Sequence, residues 1–454
     1  MKKILLALSV FTLSGCVLSD ISYNSLLGQP ENWNTESAET IAAVENSNLK
    51  LWWTRFNDPV LDKLIDRALK DSPDRLIAEA RIAEARGLRR TAKSALFPQI
   101  GVSGQVGRED TGSDADDYPD NFYEAGFDAS YEVDIFGRNR KNLSAASEQI
   151  LEAQEQYHGV SLSLIAEVTR NYIDYRAAEN QLRIAHKNLD SQEKTLELID
   201  ELHRLGSSPK LDVERTNNLV NTTRASIPEF QRQANNARLR LSVLVGVLPE
   251  ALPEDLDQSA DIPGADVQPV LMAPAQVLAA RPDVRAAGHF LSANTALADA
   301  ATADIFPTFT ISGFYGIADN ALAGSISPWS VALGAAVSLL DFGRIEGRID
   351  AAKAREQQAY QMYRKTILEA VSEVETALND YAHINEQRIS LKLAYDSADS
   401  ALYLSQTLFK EGEIAFLDVL DAQRTANDAE AALVRAKAAQ AESLTRLYKS
   451  LGVY

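Results

Sequence analysis

Two long stretches repeat apolar residues at three- and four-residue spacing with no proline inside them. They run from Arg138 to Gly206 and from Arg344 to Gly412, with Leu162, Ile165 and Val168, or Val371, Val374 and Leu378, marking the stripe. Each spans 68 positions, so a continuous helix would reach about 100 Å. No single globular domain holds such a helix. A glycine tip turns the chain in each case: Leu205-Gly206-Ser207-Ser208-Pro209 and Glu411-Gly412-Glu413. A second helix then returns, and Pro228 is expected to interrupt the first of these. The pattern predicts two helical hairpins of coiled-coil proportions.

Ahead of each hairpin the period changes to two. Tyr123, Ala125, Phe127, Ala129, Tyr131 and Val133 share one face, opposite Glu124, Asp128 and Glu132. Trp329, Val331, Leu333, Ala335, Val337 and Leu339 do the same, opposite Ser330, Ala332, Gly334, Ala336 and Ser338. Partner strands around Ile100 to Val106 and Phe309 to Ile317 alternate more loosely. Apolar-out, polar- or small-in strands of this length fit a membrane β-barrel, and equally a soluble sheet with one wet face. A shorter helix precedes each strand pair, from Pro73 to about Ala95 and from Pro282 to about Ala303. Proline sits in its first turn, and a Phe-Pro pair ends it.

These parallels are an internal repeat. Ser72-Pro73-Asp74 recurs as Arg281-Pro282-Asp283 at an offset of 209, as do Phe97-Pro98 and Phe306-Pro307. After a loop three residues longer in the first copy the offset becomes 206. It carries Phe136-Gly137-Arg138 onto Phe342-Gly343-Arg344, Leu211-Asp212-Val213 onto Leu417-Asp418-Val419 and Gly246-Val247 onto Gly452-Val453. The resulting division is a signal peptide at 1–15, an N-terminal segment at 16–57, repeat 1 at 58–250, a Pro- and Asp-rich connector at 251–274 and repeat 2 at 275–454.

Four strands cannot close a barrel, and open strand edges are not viable in lipid. Copies of the chain must complete it. Two copies give eight strands, a barrel filled by its own side chains; three give a twelve-stranded barrel that the hairpins continue as a helical tube. Arithmetic alone does not give the trimer, but an eight-stranded barrel would be a poor conduit. The predicted class is mixed α and β, a trimeric twelve-stranded transmembrane barrel continued by a long α-helical barrel.

The N-terminus fits export. Lys2 and Lys3 precede the apolar stretch Ile4 to Leu13, too short to span a bilayer, and Leu13-Ser14-Gly15-Cys16 resembles a bacterial lipobox. Cys16 is the chain's only cysteine, and Val17 after it favours sorting to the outer membrane. One cysteine excludes a disulfide framework and multi-cysteine metal sites. A net charge of -19 is the wrong sign for coating nucleic acid. His158, His186, His203, His289 and His383 lack metal-ligand spacing. Asp341-Phe342-Gly343 resembles a kinase triplet but has no catalytic-loop companions, and Ile135-Phe136-Gly137 marks both as strand-to-helix turns. No catalytic residue, cofactor or metal is expected.

The chain resembles the TolC-like outer-membrane efflux factors, in the lipoprotein branch that includes OprM and NodT. The resemblance rests on Trp52-Trp53, Phe56-Asn57-Asp58-Pro59 and Leu61-Asp62-Lys63-Leu64-Ile65, on the paired Phe-Pro and Phe-Gly turns, and on Leu417-Asp418-Val419-Leu420-Asp421-Ala422-Gln423-Arg424. It runs from about Trp52 to the C-terminus. It implies a homotrimeric duct for small molecules across periplasm and outer membrane, embedded in outer-membrane lipid. Its partners would be a periplasmic adaptor (a membrane fusion protein) and an inner-membrane pump of the proton-driven RND type. The tips at Gly206, Ser207, Gly412 and Glu413 are then the adaptor docking points. Asp418 and Asp421, three apart on one helix face, would form two carboxylate rings at a periplasmic gate, with Leu417 as an apolar constriction. The bland alternative is that these acids serve only the helix dipole. Ile414 stands where the TolC branch has a basic gate residue, so a charged lock of that kind is not expected. The acidic stretch Glu109, Asp110, Asp114, Asp116, Asp117 and Asp120 reads as a solvated extracellular tip, or as a contact to surface lipopolysaccharide through divalent ions. A duct for an ATP-driven protein-secretion system would use the same fold, and a periplasmic adaptor would share the hairpins but lack the strands.

The lipobox makes a direct prediction. Mass spectrometry of the mature N-terminus should show an acylated Cys16, and an unmodified chain starting elsewhere would sink that reading.

Overall fold

The computed structural model describes residues 32–34, 42–43, 49–109, 120–264, 267–320 and 324–454. Cys16 with its lipobox, and Asp110 to Asp117 of the acidic stretch, lie outside the described residues. Seven strands and eight helices follow in chain order: β1 (Ala42–Ala43), α1 (Pro59–Asp71), α2 (Pro73–Ser94), β2 (Gln99–Glu109), β3 (Asp120–Val133), α3 (Arg138–Arg204), α4 (Lys210–Val245), β4 (Val270–Leu271), α5 (Pro274–Ala280), α6 (Pro282–Thr302), β5 (Thr308–Asn320), β6 (Gly324–Ile326), β7 (Trp329–Ala336), α7 (Arg344–Glu411) and α8 (Phe416–Ser450). The two long helices are continuous for 67 and 68 residues. Pro73 and Pro282 stand at helix starts, as expected.

Pro228 does not interrupt the return helix. Helix α4 runs through it for 36 residues. The proline lies on the solvent side of the helix, so the Arg224 carbonyl that loses its donor can turn to water instead, and α4 packs along α3 on its other face.

The main sheet is antiparallel, β2-β3-β5, with β6 and β7 both paired to β5. The last two are one strand in unchanged register: Ala318 faces Ile326 and Tyr315 faces Trp329. Between them Pro328 has no N–H to give the ladder, and its carbonyl accepts from Gly316 N at 3.0 Å. The strand stops short of its predicted end. Ala336 pairs with Thr308, the first residue of β5, and the residue before that is Pro307. Val337 and Leu339 therefore have no ladder to join and lie exposed beyond it.

The helices lie four abreast. Near the sheet, contacts run α2–α3–α6–α7; further away they run α4–α3–α8–α7. The core sits midway along the long helices rather than at either end. Trp52, Trp53 and Phe56 from a short 3-10 turn, with Leu61, Leu64 and Ile65 of α1, pack onto Ile165, Val168 and Tyr172 of α3 and onto Leu444, Leu447 and Tyr448 of α8. The connector is no loose tether. Leu252, Leu256 and Ile262 are buried in the same core, and β4 pairs in parallel with β1. Repeated glycines close each repeat against its own start. Gly246 and Gly452 both have positive φ, and a Cβ there would meet the Asp71 carbonyl oxygen at 2.3 Å or Arg281 Cγ at 2.5 Å.

A single side chain ties these parts together. Arg176 of α3 is 1% exposed. Its Nη1 donates to the Leu256 carbonyl at 3.1 Å, the Gln258 carbonyl at 2.7 Å and Glu179 Oε2 at 2.7 Å, and its Nε donates to Tyr172 Oη at 2.9 Å. Tyr172 in turn donates to Asp58 Oδ2 at 2.8 Å, while Asp58 Oδ1 caps α1 through Val60 N and Leu61 N. Burial and the Asp58 charge push the Tyr172 phenol well above its usual range, so it remains a donor. Arg176→Met would strip the buried Leu256 carbonyl, the half-buried Gln258 carbonyl and Glu179 of their shared donor, at a cost on the order of 3–5 kcal/mol. The check is limited proteolysis, with cleavage expected first in the connector around Leu256 to Ala260.

Candidate functional site

The strand register settles what the sheet's two faces are. Residues paired across an antiparallel ladder share a face. One row reads Val102, Phe127, Tyr315, Trp329; the next Ile100, Ala129, Gly313, Val331; a third Tyr131, Ile311, Leu333. The rows on the other side read Gly101, Asp128, Phe314, Ser330, then Gln99, Ser130, Ser312, Ala332, then Glu132, Thr310, Gly334. The loose alternation of β2 and β5 thus resolves in space, with Phe314 the exception in β5. One face is continuously apolar and carries the aromatic residues that jut outward, Tyr315 at 64% and Trp329 at 73% exposure. The other is small, polar and acidic apart from Phe314, whose ring lies over Gly126. Among the described residues no helix packs broadly on either face, and the outer edges of β2 and β7 are unpaired. No helix of the described residues is long and apolar enough to cross a membrane.

The opposite end of the molecule holds the tips. Gly206 and Gly412 follow the last turns of α3 and α7 with φ of 75° and 78°. Each closes its helix in the same way: Gly206 N bonds the His203 carbonyl and Ser207 N the Leu202 carbonyl, as Gly412 N bonds Phe409 and Glu413 N bonds Leu408. Open space lies over both glycines, where a side chain would meet nothing beyond the adjoining turn. The two tips lean on each other through a small apolar cluster, Ile199 and Val213 against Phe416, Val419 and Leu420.

Leu417, Asp418 and Asp421 lie on the other side of α8, all exposed, with Leu417 at 48%. The acids have partners that spacing alone did not reveal. Asp418 Oδ2 accepts from the Ala415 N–H at 3.2 Å, closing the start of α8. Asp421 Oδ1 accepts from Arg424 Nη2 at 2.8 Å, both side chains about two-thirds exposed. The i,i+3 spacing of Asp421 and Arg424 was the available signal. In repeat 1 Asp212 pairs instead with Arg215, at 3.6 Å, so the copies differ here as their sequences do. No group of His, Cys, Asp and Glu among the described residues is arranged to hold a metal ion.

A sheet continued by long helical hairpins is an architecture that solved relatives share. The model of the outer membrane efflux protein family matches residues 64–247 and 273–453. The chain belongs to the outer membrane efflux protein family. The pyoverdine export outer membrane protein OpmQ of Pseudomonas aeruginosa is 31% identical over all of this chain and 97% of its own. The cation efflux system protein CusC of Escherichia coli is 28% identical over 97% of this chain and 96% of its own. The solved outer-membrane channel OprN superposes with a TM-score of 0.86 at 30% identity, covering 94% of this chain and 98% of that one. The expected TolC-like, OprM/NodT-type fold is thereby shown, and this protein is an outer-membrane exit duct in tripartite efflux. Members of the family are ducts rather than enzymes.

The tip glycines should be required for their backbone alone. Gly412→Val should fray the last turn of α7 by about 1–2 kcal/mol, and Gly412→Asn by less. Hydrogen exchange at Leu408 to Glu413 would register the difference, and equal protection in both variants would contradict it.

Proposed function

We propose that this protein works as a homotrimer whose barrel and helical tube form one passive conduit, opened to its cargo by a periplasmic adaptor and an inner-membrane pump of the proton-driven RND type. One observation carries the reading: the sheet has a lipid-compatible face, a water-compatible face and two free edges. Strand directions alternate from β2 through β3 and β5 to β7, so the β7 edge of one copy meets the β2 edge of the next antiparallel. Three copies supply twelve strands, and closure leaves no edge in lipid. The helix flanks agree, since α7 is free on the same side as β7, and α2 and α4 on the side of β2. The acyl chain on Cys16 adds a second hold on outer-membrane lipid.

The cargo is small and chemically broad. A conduit that binds weakly does not select, and relatives of the same architecture carry pyoverdine in one case and cations in another. The adaptor docks on the tips at Gly206, Ser207, Gly412 and Glu413, where open space above the backbone admits another helical tip. Leu417, Asp418 and Asp421 form the periplasmic constriction. Arg424 tempers its charge, because a cation offsets Asp421 while Asp418 meets the Ala415 N–H and keeps its full charge.

Two measurements test this. Ser207→Trp with Glu413→Trp avoids the strained glycine positions; it should abolish efflux in cells while trimers and membrane insertion persist, and normal efflux would count against tip docking. In planar bilayers, Asp418→Ala with Asp421→Ala should lower cation selectivity, Arg424→Ala should raise it, and Leu417→Ala should raise resting conductance. Unchanged selectivity and conductance in all of them would place the constriction elsewhere.

A further inference from the structure

Where the strands meet the long helices, Phe136 and Phe306 stack with ring centroids 4.4 Å apart and planes 13° apart. Phe136 belongs to the turn after β3, and Phe306 to the Phe-Pro pair before β5; these two strands are neighbours in the sheet. The repeat assigns each ring a counterpart, Phe342 for Phe136 and Phe97 for Phe306. Among the described residues neither counterpart is stacked on another ring. Phe97 is 56% exposed and Phe342 99%.

Phe342 is also in an unusual backbone state. Its φ is 52°, in the left-handed region that a bulky residue rarely enters. The two turns differ. In the first, Asp134 stands two residues before the phenylalanine and caps Asn139 N and Arg140 N at 3.1 and 2.9 Å. In the second, Asp341 stands one residue nearer and bonds Gly343 N and Ile345 N at 3.1 and 3.0 Å. In this turn Phe342 takes the positive φ and its ring stands clear of its own chain.

We infer that Phe342 stacks on Phe97 of the adjoining copy, so that an aromatic pair seals each seam between protomers at the junction of barrel and helical tube. The inference rests on the trimer proposed above. The partner follows from the ladder: within the chain the stack joins the end of β3 to the start of β5, and across the seam the same step joins the end of β7 to the start of the neighbour's β2. Ion pairs at this level do not carry over. Arg138 bonds Asp304 and Lys141 bonds Asp299 within the chain, but the corresponding seam positions are Arg344 with Ala95 and Gly347 with Arg90. The aromatic contact is the one that both halves of the repeat retain.

The test is cross-linking in membranes with a short bis-methanethiosulfonate reagent on full-length chains. Phe97→Cys with Phe342→Cys should give covalent dimers and trimers on denaturing gels. Each single variant and the parent, which carries Cys16, should give monomers. Phe136→Cys with Phe306→Cys should link within one chain and stay monomeric. Native mass spectrometry of the same samples separates the two ways of failing. Intact trimers that remain uncross-linked in the Phe97/Phe342 pair would overturn the stack alone. A parent that forms no trimer would overturn the trimer and the stack together. Phe342→Ala should lower the temperature at which trimers dissociate and Phe342→Tyr should not; equal lowering by both would also speak against stacking.

Discussion

A peptide group in hydrocarbon has no water to fall back on, so every N–H and C=O at membrane depth must find a protein partner. The rest of this molecule follows from that constraint. The sheet of one chain satisfies its inner strands and leaves β2 and β7 each with an unpaired side. Only closure on further copies removes the debt, and a ring of identical units has a hole along its axis. The conduit is thus a by-product of satisfying backbone hydrogen bonds. The alternation of apolar and polar residues then decides which side of the ring meets lipid.

The two repeats show how one chain builds a near-symmetric wall from unequal halves. Where they must be equal, they are: Gly206 with Gly412 and Gly246 with Gly452 hold matching positive φ values. Where they differ, the difference is local and chemical. Arg215 replaces Asp421 at the tips, and at the junction one aspartate stands a residue nearer its phenylalanine. Arg176 and Arg281 make a similar contrast. Both are buried arginines donating to backbone carbonyls, yet Arg176 holds the connector, whereas Arg281 holds the Ser450 carbonyl at the end of α8 and pairs with Asp283 and Glu373.

Much of this was legible in the sequence because the signals were long. A stripe sustained over sixty residues predicts α3 and α7 with little ambiguity, and the repeat fixed the strands by mutual support. Short-range geometry was less legible. Pro228 reads as a helix breaker, but one missing hydrogen bond on a wet face is a small loss against packing along the whole of α3. The end of β7 was overrun because Val337 and Leu339 continue the alternation; what stops the strand is Pro307 on its neighbour, a fact about pairing rather than about the strand itself. The partner of Asp418, a backbone N–H, was hidden in the same way, whereas that of Asp421 stood three residues on as Arg424. Charge spacing shows which residues share a face, not which of them is already engaged.

The burial of apolar side chains is uneven along the hairpins, and this has a mechanical meaning. The wide core around Trp52, Tyr172 and Tyr448 clamps the long helices near their middle, where the connector crosses them. Toward the tips the apolar contact narrows to the small cluster of Ile199, Val213 and Phe416 with its neighbours. The clamped core is a fulcrum and each hairpin below it a lever arm tens of ångströms long, so a rotation of a few degrees there becomes several ångströms of travel at the end. Bending is shared over many helical turns, so no single hydrogen bond need break.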